Sequence, residues 1–195
     1  MKSKIFLFLA APIFIATLFF ACKEQEGEKE KNIITLITSS TRNANFNLAG
    51  NDEITIDWND GTKLDTLALS SDTIINIRHN YLPDRNYKIT ITGNVTQLSC
   101  NYNNITSLEV NTSPSLIKLN CGNNSITTLD VSKCTALTTL DCSDNRFSVA
   151  ALNDLFETLN NLSASKTIEI YSNSGCENCD RSIAQNKGWQ VGECW

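Results

Sequence analysis

From Val95 to Phe147 the sequence repeats itself with a fixed step, and no other feature restricts the possible folds so strongly. Val95, Leu98, Cys100, Asn103, Ile105, Leu108 and Val110 return as Leu116, Leu119, Cys121, Asn124, Ile126, Leu129 and Val131, each moved by 21 residues. A third copy begins with Leu137, Leu140, Cys142, Asn145 and Phe147 and then stops. Self-similarity at this period is the signature of a solenoid in which each copy is one coil. Leu98 and Cys100 alternate and so point inward from a short strand, while Gln97, Ser99 and Asn101 point out. Asn103, Asn124 and Asn145 fall at the inner corner where the chain turns. A buried amide there bonds backbone groups of the neighbouring coil, and a stack of them satisfies polar groups that the corner would otherwise orphan. Leu108, Val110, Leu129 and Val131 line the opposite wall.

Cys100, Cys121 and Cys142 fall in one column, which invites a metal site. Side chains stacked about 4.8 Å apart along a ladder point the same way and do not converge on one ion. Parallel vectors also suit a disulfide poorly, so these cysteines are expected to be small apolar core residues. Neither a metal nor a cofactor is expected anywhere in the chain.

The segment Leu98-Ser99-Cys100-Asn101-Tyr102-Asn103-Asn104-Ile105 resembles the Leu-x-Leu-x-x-Asn-x-Leu pattern of the leucine-rich repeat family. That resemblance implies a binding surface on the outward strand residues: Gln97, Ser99, Asn101, Lys118, Asn120, Thr139, Asp141 and Ser143, with Tyr102 near the edge. Three strands stack to only about 15 Å. This is little beside the roughly 800 Å² that each partner buries in a standard interface, so the flanking segments are expected to contribute.

The chain begins with a basic Met1-Lys2-Ser3-Lys4 and an apolar run from Ile5 to Phe20, which reads as a secretory signal rather than a spanning helix. Phe19-Phe20-Ala21-Cys22 resembles the lipobox of bacterial lipoproteins, with Phe19 where Leu is usual. The resemblance implies cleavage after residue 21 and a lipid on Cys22, which would hold the protein to a membrane surface. A plain cleaved signal and an uncleaved anchor are the alternatives. Residues 22–32 carry nothing apolar to bury after Cys22 and read as a solvated charged tether. Such a tract directly after the lipid cysteine also resembles the signals that send lipoproteins to the outer face of the outer membrane.

Residues 33–93 change to short alternating runs. Ile33–Thr38, Asn45–Ala49, Glu53–Trp58, Leu64–Leu69, Thr73–His79 and Tyr87–Thr92 read as strands, broken at Gly50-Asn51-Asp52, Asn59-Asp60-Gly61 and Leu82-Pro83-Asp84. Strands at this spacing point to a small β-sandwich. Trp58-Asn59-Asp60-Gly61-Thr62, His79-x-Tyr81 and the strand from Tyr87 resemble signatures of the PKD family of β-sandwiches, with Asn59 in place of a glycine. His79 is the one histidine and reads as structural. Asp57 and Asp60 read as turn caps rather than calcium ligands, since a calcium site needs more oxygen ligands than these two carboxylates provide.

From Ser148 the period breaks. Ser148 caps an expected helix through Asn160, Lys166–Tyr171 reads as a strand, Gly175 as a turn and Asp180–Lys187 as a second short helix. Such a unit covers the last open coil of a solenoid. Cys176-Glu177-Asn178-Cys179 is a lone CxxC with neither a βαβ unit for redox chemistry nor a second pair for zinc. A structural disulfide of Cys194 with Cys176 or Cys179 is the better reading, with Cys134 also available.

The expectation is therefore a mainly β protein, in which a short leucine-rich repeat solenoid (94–147) follows a small β-sandwich (33–93) and is closed by a C-terminal α/β cap (148–195). The formal net charge is −5 before the signal is removed, and no basic stripe is present, so nucleic acid is excluded as a partner. No catalytic constellation is visible. Glu109 and Asp130 hold equivalent places in successive copies and read as a solvated face. The reading is a non-catalytic, lipid-anchored protein at the cell surface that binds a protein or glycan. The alternative is a structural accessory or spacer in an envelope assembly.

Overall fold

The structure, a computed structural model, describes residues 32–39, 42–82 and 85–194. The signal segment, Cys22, all of the tether but Asn32, and Pro83-Asp84 of one expected turn lie outside them. The described strands form one ten-stranded sheet. β1 (Ile33–Thr38) pairs antiparallel with β5 (Tyr87–Ser99) on one side and with β6 (Ile105–Glu109) on the other. β5 and β6 are the two walls of the first repeat copy. β1 therefore bridges them and covers the end of the array with Ile34 and Leu36, both fully buried.

The second strand departs from the sequence expectation. Gly50-Asn51-Asp52 was expected to break two strands, yet Asn43–Asp57 is a single strand, β2. Its pairing with β5 shifts register at Ala49/Gly50 and again at Asn51/Thr55, so the turn signal marks an irregularity inside a strand. A side chain at Gly50 would come within 2.2 Å of the Asn94 carbonyl oxygen, and Gly93 opposite has φ +132. The bend needs both glycines. β3 (Asp65–Leu69) and β4 (Ile75–Asn80) lie end to end along the other edge of β2.

β5 runs through the expected boundary between residues 93 and 94 without a break. Its first half pairs with β1 and with the end of β2, and its second half is the strand of the first copy. From there the sheet is parallel. Leu98 of β5, Leu119 of β7 (Lys118–Asn120), Leu140 of β8 (Thr139–Asp141) and Ile168 of β9 (Lys166–Glu169) stand side by side, and Val191 of β10 (Trp189–Val191) completes the row.

The repeat thus continues past the point where its period breaks. Leu140, Cys142 and Asn145 are followed by Ile168, Ile170 and Asn173, a step of 28 residues instead of 21. The longer step accommodates α1 (Val149–Thr158), where the earlier copies have an extended return. Ser148 caps α1 as expected, its Oγ accepting from the Ala151 amide at 3.2 Å, and Leu152, Leu155 and Phe156 are buried. A second helix, α2 (Ser182–Asn186), leads to β10. The buried apolar side chains form one cluster from Ile34 to Trp189, with Phe46, Trp58, Phe147 and Phe156 among its largest members.

The loop from α1 to β9 is tied by Lys166, which is fully buried. Its Nζ donates to the carbonyls of Asn160 (3.2 Å), Leu162 (2.6 Å) and Lys187 (2.6 Å) and lies 5.6 Å from the centre of the Trp189 ring. Three donors meet three acceptors, which satisfies the ammonium without water.

Candidate binding face

The corner asparagines do what their spacing implied. Asn124 Oδ1 accepts from the amides of Asn103 (3.1 Å) and Ile105 (3.0 Å), while its Nδ2 donates to the carbonyls of Cys100, Cys121 and Gly122 at 3.0–3.1 Å. Asn145 repeats this with the Ile126 amide and the Cys121, Cys142 and Ser143 carbonyls. Asn103 reaches outward from the array instead, exchanging bonds with the Asn45 backbone of β2 at 2.7 and 2.9 Å. Asn173 is a fourth rung, accepting from Phe147 N and donating to the carbonyls of Cys142 and Ile170. The sequence does carry its signal, in Ile168-x-Ile170-x-x-Asn173, hidden by the seven extra residues.

Each cysteine of the column donates its thiol to the next strand. Cys100 reaches Asn120 O at 3.5 Å, Cys121 reaches Asp141 O at 3.4 Å and Cys142 reaches Glu169 O at 3.4 Å. Burial pushes the Cys100 thiol up to about 12 and the Cys121 and Cys142 thiols well above their ordinary value. Thiols held neutral are poor nucleophiles and poor metal ligands. Cys134 is likewise a buried free thiol, bonded to Val110 O at 3.3 Å and raised by burial to about 12. The disulfide joins Cys176 to Cys194 and leaves Cys179 free.

His79 and the aspartates are structural, as the sequence suggested. His79 stacks on Trp58 at 4.4 Å and its Nε2 meets Asp60 Oδ2 at 2.6 Å. Asp57 Oδ1 caps the turn through the Asn59 amide, and Asp60 Oδ1 through the amide and hydroxyl of Thr62. Burial alone would raise the Asp60 pKa; the bonds from Thr62 and His79 outweigh it and hold the carboxyl at about 2. Because this value lies below the ordinary one, the contribution of Asp60 to stability is present above pH 3.8 and is lost as pH falls towards 2.

Of the side chains expected to face outward, six meet in one groove of about 400 Å³: Gln97, Ser99, Lys118, Asn120, Thr139 and Asp141. Strand register explains the grouping. Ser99, Asn120, Asp141 and Glu169 are neighbours in one row, and Gln97, Lys118, Thr139 and Thr167 in the next. Thr167, Glu169, Asn47 and Ile74 also line the groove and were not foreseen. Asn47 extends the first row across β2 to Asn76 of β4, whose Nδ2 donates to Asn47 Oδ1 at 2.8 Å.

Ser143 is a correction. It is fully buried, because its Oγ turns back to donate to Asp141 Oδ1 at 2.6 Å and its carbonyl receives Asn123 N and Asn145 Nδ2. The alternation that places residues outward ends with the strand at Asp141. Asn101 lies beyond the strand end too, half-buried and accepting from Ser99 Oγ at 2.9 Å.

Tyr102 stands apart from the groove, 72% exposed with φ +59. The equivalent residues Asn123, Asp144 and Ser172 share this left-handed conformation, which Asn and Asp tolerate and a bulky side chain does not. Replacing Tyr102 with Asn is therefore expected to raise stability by about 1 kcal/mol, seen as a higher thermal midpoint. A lowered midpoint would mean that the ring makes packing contacts that outweigh the strain.

No curated protein matches the chain. A family model described as leucine rich repeats, in two copies, matches residues 114–164. The match covers the second and third copies and α1, while the same asparagine rung recurs on both sides of it, at Asn103 and Asn173. The segment is thus a run of leucine-rich repeats set within a mainly β chain.

Proposed function

We propose that this chain is a non-catalytic, lipid-anchored protein of the outer membrane surface that binds a protein partner through the outward face of its parallel strands. In this reading a solenoid of repeats is closed at one end by a PKD-like β-sandwich and at the other by an α/β cap, and a lipid on Cys22 supplies the anchor. The observation that carries it is the groove in which Gln97, Lys118, Asn120, Thr139 and Asp141 are joined by Asn47 and Glu169 from the flanking segments. Leucine-rich repeats commonly mediate interactions between proteins, and the flanks supply the width that three copies lack. At Asn47 seven strands from β4 to β10 lie side by side and span about 29 Å at the usual spacing. Ile74 at the rim, 61% exposed, offers an apolar contact of the kind that anchors interfaces.

The test is crosslinking on intact cells with a Lys118→Glu, Thr139→Ala, Asp141→Lys variant, followed by identification of what is captured. Loss of the captured protein with an unchanged circular dichroism spectrum is the expected result, and Cys22→Ser should release the protein from the membrane fraction. Capture that is unaffected by the triple change would reject this face as the binding surface. Recovery of envelope components through other surfaces would favour a structural accessory.

A further inference from the structure

The C-terminal segment holds three sulfurs that the outward face does not use. Cys176 and Cys194 are bonded, with their Cα atoms 5.9 Å apart. Cys176–Asn178 is a single 3₁₀ turn that Cys179 ends. In such a turn side chains three apart eclipse, and Cys179 Sγ accordingly lies close enough to donate to the Cys176 carbonyl at 3.2 Å. Arg181 ties the third sulfur in: its Nη2 is 2.7 Å from Cys194 Sγ, and its positive charge acts on Cys179, two residues before it. The other described free thiols are fully buried in the array, whereas Cys179 is only half-buried.

We propose that these residues form an intramolecular thiol–disulfide exchange site in which Cys179 and Cys176 compete for Cys194. Cys179 gives up its proton and its sulfur attacks Cys194 Sγ. The Cys179–Cys194 bond forms as the Cys176–Cys194 bond breaks, and Cys176 leaves as a thiolate that takes up the proton. One disulfide and one thiol are present before and after, so no oxidant or reductant is consumed. The positive Arg181 guanidinium, beside the sulfur under attack and two residues from the attacking one, favours the anionic form that does the chemistry. The acids around it act the other way: Asp180 precedes Arg181 in the chain, and Glu193 pairs with the guanidinium at 3.6 Å. Burial raises the Cys179 thiol above its ordinary value against the pull of Arg181, so exchange accelerates with pH. The tail after β10 thereby has two anchor points, three residues apart.

The test uses the full chain purified without reductant, held at pH 8.5, quenched in acid with a maleimide and mapped unreduced after cleavage at Glu177, which separates the two competing cysteines. Bridges from Cys194 to both Cys176 and Cys179 are expected, with the label divided between the two freed thiols. The rate should be independent of protein concentration and should fall about tenfold per pH unit below the thiol pKa. Arg181→Gln should slow it, and Cys176→Ser should show the Cys179–Cys194 bridge alone. A wild-type chain labelled at Cys179 only after prolonged incubation would overturn the proposal, as would a rate that rises with protein concentration.

Discussion

Replacing Asn145 with alanine is expected to cost about 3–5 kcal/mol of folding stability, because each buried polar group left without a partner costs roughly 1–3 kcal/mol. The side chain holds the Ile126 amide at 2.9 Å and the carbonyls of Cys121, Cys142 and Ser143 at 2.9–3.3 Å. It is buried between the second and third copies, where water cannot take its place. Small domains have only about 5–15 kcal/mol in total, so the variant should unfold at a much lower denaturant concentration, and Thr127→Ala on the exposed surface of the same copy should not. Asn145→Asp separates the two roles. A carboxylate still accepts from Ile126 but faces three carbonyls with no proton to give. Its folded-state pKa must therefore rise above the unfolded value, and the variant should gain stability as pH falls through that interval. A midpoint for Asn145→Asp that does not change with pH would show that the donor bonds are not what holds the corner.

The second large effect is expected at Lys166. Lys166→Met keeps most of the length and apolar stem but strips the donor from three carbonyls at once. Bonds to a charged group are worth about 1.5–3 kcal/mol each, so about 3 kcal/mol is expected after the carbonyls partly relax towards water. The loss should be local at first. Amide exchange should quicken around Leu162 and Lys187, and Trp189, whose indole donates to the same Asn160 carbonyl at 2.9 Å, should change its fluorescence. A stable variant with unaltered exchange would mean that the apolar packing of β9 and β10 suffices without the ammonium.

Both residues bear on what could be read from the sequence. Asn145 was legible, because its role is written in a column of identical residues at a constant step, and so were the core cysteines and the turn-capping aspartates. The groove was legible in its middle, since alternation along a strand assigns Lys118, Asn120, Thr139 and Asp141 without knowledge of the rest. Lys166 was not. Its carbonyl partners lie on loops that have no pattern, and a lysine in an alternating strand reads as exposed. Asn173 escaped for a different reason: the motif is intact, but a helix of irregular length shifts it out of phase. Asn47 and Asn76 reached the face through pairing of β2 with β4 and β5, a long-range register that no local period encodes. Gly50-Asn51-Asp52 misled because the same residues that turn a chain also let a strand bend.

The ends of the array differ in kind from its middle. β2 fits only the first copy, through Asn103, as β1 does by pairing with β5 and β6, and the helix-bearing copy with Asn173 fits only the last. Between them every rung presents its neighbour with the same bonds, so the middle can lengthen without either end being rebuilt. Each added unit would be 21 residues long and would move the two ends apart by about 4.8 Å. The protein is in effect a gauge with fixed jaws, and the reach of its face can be changed only in whole steps.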